Sequence, residues 1–87
     1  MSIRNYLNEG VEDKIEKYLS DKNWNVAVLV KIKGMWTNYE YENDGLTKIE
    51  SDKKFSNVMP GFEEEDMKVD KKLMKILKAE KVYINDL

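Results

Sequence analysis

Lys71, Lys72, Lys75 and Lys78, with Lys68 and Lys81, are the residues whose type and spacing speak most directly of chemistry. On a helix, 71, 75 and 78 share one face at spacings of four and three, and 68, 72 and 75 share the adjacent one. Ammonium groups gathered in this way hold phosphates through charge, with no catalytic step. The same pattern also suits the wet side of an ordinary amphipathic helix.

Two acidic strings carry the opposite charge. Glu63-Glu64-Glu65-Asp66 is the densest run. It imitates phosphates or meets a basic partner, or it forms a solvated first helical turn favoured by the helix dipole. Glu40-x-Glu42-x-Asp44-Gly45 has the spacing of the first half of a calcium loop. The twelfth position, however, is Ser51 where the loop needs Glu, and the flanks read as strands. A hairpin turn with acidic flanks is expected there, and no metal.

The chain has no histidine and no cysteine. The usual general base, the usual metal ligand and thiolate chemistry are therefore missing together. No nucleophile–base arrangement is visible. The expectation is a protein that is not an enzyme and uses no cofactor.

Net charge is −2 over 87 residues, which fits one domain spanning 1–87. Residues 39–67 hold nine acids against three lysines, and residues 68–87 hold six lysines against three acids. That distribution predicts a polarised surface. Fourteen lysines to one arginine, with eight asparagines and two alanines, match the codon usage of an A/T-rich genome, such as that of many bacteriophages and of many low-G+C bacteria. The N-terminus lacks a secretory apolar stretch. The longest aliphatic run, Val26 to Val30, falls far short of the ~20 residues that span a bilayer. A cytoplasmic protein without a membrane partner is expected.

The positioning elements follow from periodicity. Ile3, Tyr6, Leu7, Val11, Ile15, Tyr18 and Leu19 predict an amphipathic helix over 3–20, with Ser2 as its cap. Gly10 lies on its apolar stripe and either admits the sheet closely or splits the helix. Alternation predicts strands near 24–33, 35–42 and 46–51. A tight turn at Gly34 places Tyr39 and Tyr41 beside Val26 and Val28, with Trp36 on the opposite face. A three-residue loop at Asn43-Asp44-Gly45 would pair Glu42 with Leu46, Glu40 with Lys48 and Tyr39 with Ile49. Phe55, Val58 and Met59 anchor the connection over 52–61, either as an irregular segment or as a short fourth strand. A second helix covers about 70–80, with Leu73, Ile76 and Leu77 as its stripe, and an earlier start after Pro60 would put Glu63 to Asp66 at its N-terminus. Val82-Tyr83-Ile84 reads as an edge strand or a docked tail. The predicted fold is α+β. An N-terminal helix, an antiparallel sheet of three or four strands and a C-terminal helix form an αβββα order, with both helices on one face.

This order resembles that of the double-stranded-RNA-binding domain, in which lysines opening the second helix grip phosphates. Lys71-Lys72-Leu73-Met74-Lys75 is similar to that cluster. The resemblance implies an RNA-binding module acting through Lys71, Lys72, Lys75 and Lys78. The chain departs from the family at Lys33-Gly34-Met35, where a histidine-bearing loop has no counterpart, and at Glu63 to Asp66, which replace a glycine-rich lead-in.

The reading that comes first is protein–protein recognition by a small regulator or inhibitor, of the kind bacteriophages encode. A sheet covered on one side leaves the other face to water. That face would present Leu29, Trp36 and Leu46 at its centre, framed by Lys31, Asn38, Glu40 and Lys48. The competing expectation is that Trp36 is buried by the 52–61 connection, the C-terminal tail or a homodimer contact.

Overall fold

The computed structural model describes residues 10–20, 25–42 and 45–86. Helix α1 (Val11–Leu19) is followed by strands β1 (Val26–Ile32), β2 (Met35–Glu42) and β3 (Gly45–Asp52). A one-turn helix α2 (Phe55–Val58), a 3₁₀ turn (Glu64–Asp66), helix α3 (Lys71–Leu77) and strand β4 (Lys81–Asp86) come after β3. The four strands form one antiparallel sheet in the order β3-β2-β1-β4. The predicted α+β class and the antiparallel sheet are what the molecule has. The fourth strand is the Val82–Ile84 segment, which pairs with β1, while Phe55–Val58 is helical.

Glu12 and Asp13 lie in the first turn of α1 and Lys17 in the last, each beside the dipole end of opposite sign. Gly10 is the residue before the helix, and a methyl group added to it would meet nothing within 4 Å. Of the two readings of this glycine, close approach of the sheet does not occur, and the described helix begins just after it. The predicted cap Ser2 and the stripe residues Ile3, Tyr6 and Leu7 lie outside the described residues.

The first hairpin follows the sequence closely. Lys33 and Gly34 both take positive φ, 52° and 77°, as a two-residue turn matched to strand twist requires. Val26 pairs with Tyr41 and Val28 with Tyr39, and Trp36 pairs with Lys31 on the opposite face. The second hairpin departs by one residue. Leu46 pairs with Tyr41 and Lys48 with Tyr39, rather than with Glu42 and Glu40. A one-residue slip moves a side chain to the other face, so Leu46 joins the helix-side core. Its N–H donates to Glu16 Oε2 of α1 at 3.0 Å. Gly45 (φ 118°) opens β3 here, and a Cβ on it would come within 3.1 Å of that carboxylate. An irregularity between Asn38 and Tyr39 then shifts the register, so that Asn38 pairs with Glu50 and Trp36 with Asp52.

Both faces of the sheet are covered. On one, Val26, Val28, Val30, Tyr39 and Val82 pack against Ile15 and Leu19 of α1 and Leu73 and Leu77 of α3. The two helices share this face, as predicted. On the other, Leu29, Trp36 and Tyr83 pack beneath Phe55, Val58 and Met59. The expectation of an open sheet face is corrected: α2 and its flanks lie over it. Central strand β1 is thus buried on both sides, which is why Val26 to Val30 is uninterruptedly apolar.

Helix α3 does not reach back to Pro60. Met67 to Val69 are non-helical, Val69 bridges to Tyr83, and the Asp70 N–H donates to the Val82 carbonyl at 2.9 Å. Glu64–Asp66 form a separate turn, so the acids do not sit on the α3 dipole. Among the described residues, no helix is long and apolar enough to cross a membrane.

Candidate docking groove

Asp70 starts the helix that carries the lysines. Its Oδ1 accepts from the Leu73 N–H at 2.8 Å, satisfying one of the donors that a helix N-terminus leaves free. Its two oxygens also accept from the Tyr18 hydroxyl at 3.0 and 3.1 Å, fastening α3 to α1. The helix ends at Lys78, whose left-handed backbone (φ 55°) lets the Ala79 N–H return to the Met74 carbonyl at 3.0 Å. The Glu80 N–H then donates to the Lys31 carbonyl at 2.8 Å, and β4 begins at Lys81.

This reversal leaves a shallow groove of about 600 Å³ between α3 and β4. Val69, Met74 and Ala79 supply apolar surface, and Lys71, Lys75, Lys78 and Lys81 supply four exposed ammonium groups. Among the described residues none of these four is paired with a carboxylate. Of the lysine quartet predicted from spacing, Lys71, Lys75 and Lys78 come together here. Lys72 is exposed but does not line the groove. Of the two lysines the sequence adds to that basic surface, Lys81 lines the groove and Lys68 does not. The apolar residues were not among the predicted site residues.

The predicted sheet-face surface does not assemble. Leu29 is fully buried, Trp36 is 3% exposed and Asn38 7%. Trp36 stacks on Tyr83 at 5.7 Å and meets the edge of Phe55 at 5.1 Å, with Lys31 Nζ 5.7 Å from its ring. The Asn38 amide donates to the Val58 carbonyl at 3.2 Å, so it holds α2 down instead of facing a partner. Among the described residues its Oδ1 has no hydrogen-bond partner. Glu40 is half-buried, Leu46 packs on the helix side, and Lys48 is exposed opposite Tyr39. Glu42 is exposed, and Asp44 of the acidic turn lies outside the described residues.

On the other side of β4, the Tyr83 hydroxyl donates to Glu64 Oε2 at 2.8 Å. Burial, then that hydrogen bond, then the charges of Glu64 and Glu65 push the Tyr83 hydroxyl from 10.0 up to about 12. Burial and the Asp70 carboxylate raise Tyr18, and burial with the Glu12 charge raises Tyr39. A phenol whose pKa is higher folded than unfolded holds its proton better in the fold. Its contribution is complete below pH 10.0 and lost as pH climbs through about 12. Alkaline titration followed by tyrosinate absorbance should show this late step, and Tyr83→Phe should delete it. A Tyr83→Phe profile unchanged across that window would contradict the assignment.

What four ammonium groups around an apolar patch can do is attract anionic groups and bury an apolar one among them. The expected αβββα order is interrupted by α2 and the 3₁₀ turn before α3, and β4 extends the sheet after it. No protein family, curated protein or solved structure matches the chain.

Proposed function

We propose that this is a small, non-catalytic, cytoplasmic binding protein, a regulator or inhibitor that acts on another protein. It seats an acidic segment of that protein, carrying one apolar side chain, in the α3–β4 groove. The observation behind this reading is the apolar patch of Val69, Met74 and Ala79 ringed by Lys71, Lys75, Lys78 and Lys81. Apolar surface surrounded by one sign of charge favours an anion with an apolar anchor over a bare polyanion. RNA, held by the same lysines, is the rival ligand.

Fluorescence anisotropy with three probes separates the two. The probes are an acidic peptide with a central phenylalanine, the same peptide with serine in its place, and double-stranded RNA. The phenylalanine peptide should bind best. Reversing Lys71, Lys75 and Lys78 to Glu should weaken it by roughly 2 kcal/mol in total, more than about tenfold, while circular dichroism stays unchanged. RNA binding with steep salt dependence and no peptide binding would transfer the function to nucleic acid.

A further inference from the structure

We infer that the groove is filled in solution by Phe62–Asp66 of a second copy of this chain, giving a twofold dimer. This rests on the reading of the groove as a receptor for acidic segments with an apolar anchor.

The chain carries such a segment on its own surface. Phe62 is 49% exposed, and Glu63, Glu65 and Asp66 are exposed beside it. Among the described residues none of these three acids is paired with a lysine. The segment is built to hold its shape. Gly61 turns the backbone at φ 87° just before Phe62. The Asp66 N–H donates to the Glu63 carbonyl at 3.0 Å and the Met67 N–H to that of Glu64 at 3.1 Å. Glu64 is taken by the Tyr83 hydroxyl, and Met67 packs into the second core. A turn held in this way gives up little conformational freedom on docking. Phe62 supplies the apolar anchor for Val69, Met74 and Ala79. Three carboxylates meet the four-lysine rim.

The tethering of 64–70 to β4 explains why the contact is between copies. Tyr83 holds Glu64 through its hydroxyl and bridges to Val69, which itself lines the groove. Turn and groove are therefore anchored along the same strand, and in this chain the turn does not enter the groove. Placed along β4, a twofold axis sets each turn over the other copy's groove, the reciprocal contact of an isologous dimer. Strand-to-strand pairing is not the means there, because residues 68–70 already bond to the outer edge of β4 at Val82 and Ile84.

Charge reversal tests this on the full chain by sedimentation velocity. Wild type should be dimeric in low salt and dissociate in high salt. Phe62→Ser should be monomeric under the same conditions. A groove variant (Lys71→Glu, Lys75→Glu, Lys78→Glu) and a turn variant (Glu63→Lys, Glu65→Lys, Asp66→Lys) should each be monomeric alone. Mixed in equal amounts they should form a heterodimer, because both reciprocal contacts regain opposite charges. A wild-type monomer at all concentrations in low salt overturns the inference, as does a dimer that survives both reversals. If the phenylalanine peptide binds a monomeric wild type, the groove reading stands and only the second-copy occupant falls. If neither peptide binding nor dimerisation occurs, both fall.

Discussion

Trp36→Ala should lower stability by about 3–5 kcal/mol, the range for deleting a buried aromatic. That is a large share of the ~5–15 kcal/mol that holds a typical domain together. The side chain is 3% exposed and lies between Tyr83 of β4 and Phe55 of α2. It therefore joins an inner strand, an outer strand and the segment that covers them. Removing it leaves a cavity that the neighbouring rings cannot close without moving off β1. Asn38 would then be exposed along with Leu29, since both share the cover. Trp36→Phe retains a ring and should cost clearly less. Had the sheet face been open, as alternation alone suggests, Trp36→Ala would barely affect folding. Urea denaturation distinguishes the two, and a loss below about 1 kcal/mol would mean that α2 does not pack on this face.

The same residue shows what the sequence discloses and what it withholds. Period-two alternation and Gly34 correctly put Trp36 opposite Val28. They do not say whether that opposite face is wet. A signal was nonetheless present. Ala27 and Leu29 alternate with three valines, and a strand apolar on both sides is one covered on both sides. The cover itself is harder to read, because Phe55 and Val58 at a spacing of three make a single helical turn. That is too short for periodicity to distinguish from a strand. The second hairpin misled for a different reason. Pairing Glu40 with Lys48 is chemically sensible, but burying Leu46 beside Tyr41 outweighs a surface ion pair.

The groove was half legible. Helical spacing brought Lys71, Lys75 and Lys78 together, since that depends on local geometry alone. Val69, Met74 and Ala79 lie before, within and after α3, and they meet Lys81 only because β4 folds back against β1. No local pattern announces such a meeting. Asp70 is different. An aspartate immediately before an apolar-periodic run is a readable N-cap, although its second role, as acceptor for a tyrosine 52 residues earlier, is tertiary.

Asp70→Ala is accordingly expected to cost about 3 kcal/mol. Loss of an N-cap is worth about 1 kcal/mol, and a hydrogen bond to a charged group about 1.5–3 kcal/mol, taken toward the lower end for a half-buried site. Asp70→Asn keeps an acceptor for the Leu73 N–H and should recover the capping share. Tyr18→Phe combined with Asp70→Ala should cost less than the two losses added, since both remove one shared bond. The effect on the groove separates position from charge. Deleting an acid at the head of the lysine-bearing helix should, by electrostatics alone, tighten binding of an acidic peptide. If Asp70 instead fixes where α3 places Lys71, Lys75 and Met74, Asp70→Ala should weaken that peptide despite the more favourable charge. Asp70→Asn should fall between the two. Strictly additive stability losses would show that Tyr18 and Asp70 are uncoupled. Tighter peptide binding in Asp70→Ala with stability unchanged would show that the cap does not position the groove.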